Sequence, residues 1–213
     1  MARFLLTVWP FSGHLHPNVA LAHALRDRGH EVAFYTGASA APIIEGEGFR
    51  LFRFDDLDER FVLGMVSSRQ GIRGKVRWPP SLQKKWREFL VGTIPAQVRD
   101  LEEVFRQWPP DMIVCDPLVW SPGAVLHERA GIPVSVFSYT MACFVPGRDA
   151  PLLGVSYPKP RGRLERIRYD AARLLMQAVA KGNVKHLNRV RASYDLPPLK
   201  ETMPARMSRF PLY

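Results

Sequence analysis

Short apolar runs alternate along the chain with segments in which apolar residues recur at helical spacing. Residues 4–8 and 31–35 predict the first two strands, and the pattern predicts a helix over residues 17–28, ending at Gly29. Three later runs indicate further strands at residues 49–54, 112–116 and 132–138. Because strands and helices alternate, we expect an α/β domain: a doubly wound, mostly parallel Rossmann-like sheet with helices on both faces.

Three more helices follow from the spacing of apolar residues, at residues 39–45, 82–105 and 121–130. The longest contains Pro95, and a kink is expected there because proline lacks the backbone donor and crowds the preceding turn. The last is expected to end at Gly131. In a sheet of strand order 3-2-1-4-5, strands 1 and 4 are neighbours, and ligands bind beyond their carboxyl ends.

Composition favours a single soluble domain over residues 1–213, with 46% hydrophobic and 23% charged residues. No apolar run approaches the roughly 20 residues that cross a bilayer. The apolar start of the chain is interrupted by Trp9 and Pro10, which argues against a signal peptide. Cys115 and Cys143 lie in apolar contexts, so two buried thiols are favoured over a disulfide, and a cytoplasmic location is expected.

The net charge of +10 is concentrated near the end of the chain. Ten Lys and Arg residues but only two acidic ones lie between Lys159 and Arg191, where apolar residues follow helical spacing. The first interpretation of this basic amphipathic helix is a solvated surface. The second is an anionic membrane surface, or an acidic partner, bound through residues 163–191. No nucleic acid partner is expected, because no aromatic platform or binding motif accompanies the charge.

Two side chains with complementary chemistry follow neighbouring strands. His14 comes after strand 1, and Asp116 ends strand 4. We therefore expect them at one mouth of the sheet, within hydrogen-bond distance of roughly 2.6–3.2 Å. A carboxylate beside an imidazole fixes its tautomer and stabilises its protonated form, as in a general-base dyad. The alternative is that His14 satisfies backbone groups and Asp116 caps a turn.

A metal site is not expected. His14 and His16 form an H-x-H pair, but a metal needs three or four ligands with supporting hydrogen bonds. The remaining histidines fall on helices or their ends and do not cluster: His23, His30, His127 and His186.

The turn Gly13-His14-Leu15-His16-Pro17, the helix after it and residues 111–116 resemble the family 1 glycosyltransferases. More narrowly, they look like the bacterial macrolide-type and UDP-glycosyltransferase-like enzymes, which have two facing Rossmann-like domains (the GT-B fold). The resemblance covers the whole chain as an N-terminal acceptor-binding domain. It implies that His14 removes the proton of an acceptor hydroxyl and that Asp116 orients it. His16 stands where many members have asparagine, so no catalysis is assigned to it.

The resemblance implies inverting transfer of a sugar from a nucleotide-diphosphate donor to a hydroxyl of a small apolar acceptor, without a metal or other cofactor. Ser12 and Gly13, in the turn, and the helix start at Pro17 are candidates for stabilising the leaving diphosphate. Thr140, in a loop similar to the one lining the donor–acceptor junction, is a candidate contact, with an ordinary turn residue as the alternative. Candidate walls of an apolar acceptor pocket, each also explained as core, are Trp120, Phe144 and Phe61.

The family's second domain, which binds the donor, has no counterpart in the chain. Residues 210–213 read as part of another strand, so a shortened chain or one half of a split enzyme is expected, working with a C-terminal donor-binding domain or separate subunit.

Two other functions stay open. One is a non-catalytic domain that binds a ligand or partner. The other is a nucleotide-cofactor oxidoreductase, disfavoured because G-x-G-x-x-G is missing and Tyr35-Thr36-Gly37 stands where an acidic residue would end strand 2.

Overall fold

The computed structural model describes residues 1–67, 80–139 and 160–201. Their strands form one sheet of order β3-β2-β1-β4-β5, in which every neighbouring pair is parallel. The strands are β1 (Arg3–Thr7), β2 (Glu31–Thr36), β3 (Arg50–Arg53), β4 (Met112–Cys115) and β5 (Val134–Val136). The predicted fold class and strand order are confirmed. The edge at which these strands end is called the carboxyl edge below.

Helices connect the strands and cover the sheet. They are α1 (Ser12–Arg26), α2 (Ala41–Ile44, after a 3-10 turn at Ala38–Ala40), α3 (Glu59–Ser67), α4 (Pro80–Arg87), α5 (Ile94–Gln107), α6 (Trp120–Ala130) and α7 (Arg163–Ala192). As predicted, α6 is followed by Gly131, which adopts the left-handed conformation at φ 71°. Helix α3 was not predicted from the sequence.

Successive strand residues point to opposite faces of the sheet, and each face has its own apolar layer. On one face, α1 and α2 pack on side chains that include Leu6, Phe34 and Val114. On the other, α5, α6 and part of α7 pack on side chains that include Leu5, Tyr35 and Ile113. The prediction of helices on both faces is confirmed.

Helix α1 begins at Ser12 rather than at Pro17, as the sequence had suggested. The extended Phe11 precedes the helix, and its carbonyl accepts the N–H groups of both His14 and Leu15 at 2.8 Å. Pro17 therefore lies inside the helix, where its fixed φ is compatible and only one hydrogen bond is lost. The consequence for the site is that His14 lies in the first helical turn, not in a loop before it.

The helical stretch predicted at residues 82–105 is divided, with a break just before Pro95. A π-helical turn at Glu88–Gly92 separates α4 from α5, and the Thr93 N–H donates to the Glu88 carbonyl at 3.1 Å. The Thr93 hydroxyl also donates to the Phe89 carbonyl at 2.7 Å. The proline that was expected to kink one helix instead stands in the first turn of α5.

The single cysteine within the described residues is buried. Cys115 is free, and burial raises the pKa of its thiol to about 12. Cys143 and the strand predicted at residues 210–213 lie outside the described residues.

The predicted basic helix is present as α7, and it has two faces. Its inner face carries the buried side chains Tyr169, Val184, Leu187 and Arg191. Its outer face carries large apolar side chains that are between 62% and 68% exposed: Leu164, Ile167, Leu174 and Leu175. Of the helices that the structure describes, none combines the length and the apolar character needed to span a bilayer. Binding to an anionic membrane surface stays a prediction.

Helix α7 is fixed to α6 through a buried ion pair. The guanidinium of Arg191, 2% exposed, donates from both terminal nitrogens to the carboxylate of Glu128 at 3.0 and 2.7 Å. Its Nε donates to the Pro197 carbonyl at 2.9 Å. A planar guanidinium that meets a carboxylate through two bonds fixes both the distance and the orientation of the helices.

We expect Arg191→Leu to lower the free energy of unfolding by about 3 kcal/mol, because it removes a buried cation from the partly buried carboxylate of Glu128. The exposed Arg189, on the same helix, provides the control: Arg189→Leu should change stability by less than about 0.5 kcal/mol. Urea denaturation followed by circular dichroism measures both. Equal losses for the two variants would contradict a special role for the buried pair.

Candidate active site

Parallel pairing of β1 with β4 brings distant parts of the chain to the carboxyl edge. Thr7 pairs with Cys115 in the register of the two strands, and the Asp116 N–H donates to the Thr7 carbonyl at 3.0 Å. The chain then turns from β1 into α1, while Asp116 directly follows β4. As a result, residues 102 positions apart in sequence, His14 and Asp116, face each other.

The imidazole of His14 contacts the carboxylate of Asp116 directly. Nδ1 of His14 lies 2.7 Å from Oδ2 of Asp116, within the distance expected from the sequence. The Asp116 side chain has no solvent exposure, whereas that of His14 is 19% exposed. Since an ionised carboxylate only accepts hydrogen bonds, Nδ1 must carry the ring proton. The lone pair of the neutral ring is then on Nε2.

The second carboxylate oxygen is also occupied. Oδ1 of Asp116 accepts the Leu118 N–H at 2.8 Å, which fixes the carboxylate relative to the loop after β4. On the other side of the pair, the Asn18 side chain donates to the His14 carbonyl at 2.9 Å. Both members of the pair are thereby tied to their own backbone segments.

Tyr139 completes this arrangement and was not singled out from the sequence. Its hydroxyl donates to Oδ2 of Asp116 and lies 2.5 Å from Nδ1 of His14. Its ring packs edge-on against the His14 ring at a centroid distance of 5.6 Å. Burial, followed by the charge of Asp116, raises the pKa of the Tyr139 hydroxyl, so it remains a proton donor at neutral pH. The signal that could have found it is topological, because it follows β5, the strand beside β4.

The two residues predicted to meet the diphosphate lie at the start of α1. Ser12 and Gly13 are exposed, and helix geometry leaves their N–H groups without an acceptor inside the helix. The first turn of α1 contains no acidic side chain. Among the residues that the structure describes, none would meet a Cβ added to Gly13 within 4 Å.

The structure places the described acceptor-pocket candidates in two different apolar clusters. Trp120 is 3% exposed and packs in the layer formed by α5 and α6, which favours the interpretation of it as core. Phe61 is partly buried against a smaller apolar cluster at the carboxyl edge. Thr140 and Phe144 lie outside the described residues.

That smaller cluster, called the edge cluster here, is centred on Trp9. Its buried members are Trp9, Leu57, Val62, Met65, Phe89 and Val119. The Trp9 ring stacks on Phe89 with centroids 4.6 Å apart, and its indole N–H donates to the Leu118 carbonyl at 3.3 Å. Trp9 thus connects the segment before α1 to the loop after β4, the two segments that carry the pair.

His16 is exposed, and it gains no metal-binding partners. Among the residues that the structure describes, no group of three or more histidine, cysteine or acidic side chains could hold a metal ion.

Comparisons with known proteins agree with this architecture. No protein-family model matches the chain. The chain is 28% identical over 207 residues to 4'-demethylrebeccamycin synthase of Lentzea aerocolonigenes, covering 94% of this chain and 47% of that protein. It is 27% identical over 134 residues to demethyllactenocin mycarosyltransferase of Streptomyces fradiae, covering 63% of this chain and 28% of that protein.

Solved structures show the same fold. The calicheamicin glycosyltransferase CalG4 superposes with a TM-score of 0.61 at 16% identity, covering 94% of this chain and 44% of that one. SsfS6, a glycosyltransferase of Streptomyces sp. SF2575, gives 0.59 at 18% identity, covering 95% and 49%. The chain therefore spans about half the length of 4'-demethylrebeccamycin synthase and of these two solved structures. The resemblance predicted from the sequence is confirmed: over nearly its whole length, this chain is similar to about half of a family 1 glycosyltransferase of the GT-B fold, consistent with an N-terminal domain.

Proposed function

We propose that this chain is the acceptor-binding N-terminal domain of an inverting glycosyltransferase in which His14 is the general base. The observation that carries the proposal is the 2.7 Å contact between Nδ1 of His14 and the fully buried carboxylate of Asp116. That contact directs the Nε2 lone pair away from the carboxylate. It also provides a counter-charge for the imidazolium that forms when a proton is taken up.

The chemistry assigned to His14 is removal of the acceptor's hydroxyl proton. The acceptor oxygen forms a bond to the anomeric carbon while the bond from that carbon to the nucleotide diphosphate breaks. The leaving diphosphate keeps the bonding electron pair, and the proton passes to Nε2. A single displacement from the opposite face inverts the configuration of that carbon. An imidazole suits the step because it exchanges a proton near neutral pH.

A nucleotide-diphosphate sugar is the co-substrate that this scheme requires. The exposed N–H groups of Ser12 and Gly13, at the positive end of α1, are suited to the charge that develops on the leaving diphosphate. SsfS6 has been solved in complex with thymidine diphosphate, which supports the same class of donor here. In the proposal, most of the nucleotide contacts come from a C-terminal donor-binding domain or a separate subunit.

A small apolar acceptor fits the surroundings of His14. The edge of the Phe11 ring faces the His14 ring at a centroid distance of 5.6 Å. Phe11 and Phe61 are both partly buried against the edge cluster. The names of two matched relatives contain 4'-demethylrebeccamycin and demethyllactenocin, which supports an antibiotic-like acceptor.

The position of Glu59 further disfavours the oxidoreductase alternative. Its carboxylate accepts the N–H groups of Ala38 and Ser39 at 2.8 and 2.9 Å, directly after β2. A Cβ on Gly37 would lie 2.2 Å from Glu59 Oε1, so the carboxylate closes this position. Backbone donors that could meet a cofactor after the second strand are therefore already satisfied within the protein. A non-catalytic binding domain remains the second candidate.

The role of His14 can be tested in an enzyme that pairs this chain with a donor-binding half. His14→Ala should lower turnover about a hundredfold or more, the scale expected for loss of a general base. Asp116→Asn should cost less, if its role is to orient the ring. His16→Ala is the matched control and should leave turnover close to that of the unmodified enzyme. Near-normal turnover of His14→Ala with an ordinary alcohol acceptor would refute the assignment.

Calorimetry on the 213-residue chain tests whether this chain holds the acceptor site while most of the donor site lies elsewhere. An apolar acceptor should bind, because in the proposal its pocket is formed by this chain's own loops. A nucleotide sugar should bind very weakly, because only the first turn of α1 contributes to its site. Micromolar affinity for the nucleotide sugar, in a chain shown to be monomeric, would mean that the donor site has been misplaced.

A further inference from the structure

The hydroxyl of Tyr139 makes the pair a three-membered cluster. Oδ2 of Asp116 receives two donors, the ring N–H of His14 and the hydroxyl of Tyr139. The same hydroxyl oxygen lies 2.5 Å from Nδ1 of His14. The three groups come from three separate segments: the first turn of α1, the residue after β4 and the segment after β5. A two-membered dyad therefore does not describe the site fully.

We propose that Tyr139 is a positioning residue that shares the Asp116 carboxylate with His14 and thereby limits how strongly that carboxylate holds the protonated ring. The hydroxyl touches the side of the imidazole opposite to Nε2, so it acts through Asp116 and not on the acceptor. The kinetic part of this inference rests on the proposed function. The hydrogen-bonding part concerns the chain itself and stands apart from it.

The direction of the effect follows from the donors. A hydroxyl that donates to Oδ2 withdraws negative charge from the oxygen that faces the ring. The carboxylate then stabilises the imidazolium less than Asp116 alone would. A base that must be neutral before it can accept the acceptor's proton benefits from this restraint.

One assignment of protons satisfies the hydrogen bonds among Tyr139, Asp116 and His14. The Tyr139 hydroxyl has a single proton, and donating it to Asp116 leaves its oxygen only as an acceptor toward Nδ1. Burial and the nearby Asp116 charge raise the pKa of this hydroxyl, so it does not ionise in competition with the ring. Within the described residues, the titratable side chains in contact with the His14 ring are Asp116 and Tyr139, since Phe11 is apolar and His16 is exposed.

The test is an NMR titration of the His14 ring in the 213-residue chain, with the signal assigned through His14→Asn. In Tyr139→Phe, the midpoint of the titration should move to higher pH by about 0.5 to 1 pH unit, because Asp116 then serves the ring alone. The matched control is Tyr35→Phe. It also removes a tyrosine hydroxyl that donates to a carboxylate, Asp100, at 2.7 Å, but away from the site. The midpoint for His14 should stay unchanged in that variant.

A second substitution keeps the test decisive if Tyr139→Phe fails to fold. Site-specific 3-fluorotyrosine at position 139 keeps the ring and its shape but makes the hydroxyl a stronger donor. It should move the His14 midpoint in the opposite direction, to lower pH. Each shift in its expected direction supports the inference on its own. An unmoved midpoint, or a shift in the other direction, in either folded protein would overturn it.

The kinetic readout distinguishes this inference from the proposed function. In an enzyme that pairs this chain with a donor-binding half, Tyr139→Phe should move the acid limb of the kcat/KM profile to higher pH by a similar amount. An NMR shift in the chain, without any sugar transfer by the paired enzyme that carries the unmodified chain, would refute the proposed function. The inference about the hydrogen-bonded cluster would stand. Transfer with an unmoved acid limb would refute the role of Tyr139 while the function stands.

Discussion

The carboxylate of Asp116 has no solvent exposure, and this constraint organises the carboxyl edge of the sheet. An ionised group removed from water is costly unless hydrogen bonds replace its hydration. Its partners come from three places: the loop after β4 through Leu118, helix α1 through His14, and the segment after β5 through Tyr139. Satisfying one buried charge therefore positions the three segments from which the proposed active site is built.

Carboxylates fix the other loops of this edge in the same way. Asp100 of α5 accepts the Tyr35 hydroxyl at 2.7 Å and the N–H groups of Asp55 and Asp56, so it holds the loop after β3. Glu59 does the same for the turn after β2. Loops of this kind carry function on a rigid scaffold, and here side-chain acceptors replace the strand hydrogen bonds that end at the edge.

The sequence predicted the sheet and the meeting of His14 with Asp116, because both follow from alternating strands and from the order of parallel strands. It did not predict where α1 begins, since Pro17 favours a helix start at its own position while the Phe11 carbonyl starts the helix earlier. It passed over Tyr139 because the orientation of a residue after a strand depends on tertiary packing. The burial of Trp120 was undecided for the same reason: a large apolar side chain fits a core or a pocket equally well.

In the proposed function, a base in the position of His14 also needs a second surface. The side chain of His14 is 19% exposed, and no neighbour within the described part of the chain would meet a Cβ on Gly13. In water, an acceptor hydroxyl competes with solvent for Nε2, and the charge on a leaving diphosphate is already hydrated. Excluding that water strengthens each hydrogen bond in the site and favours the acceptor oxygen as nucleophile. In the proposal, the base is thus prepared within this chain, whereas the water exclusion that makes it effective depends on the acceptor and on the donor-binding half that would cover the carboxyl edge.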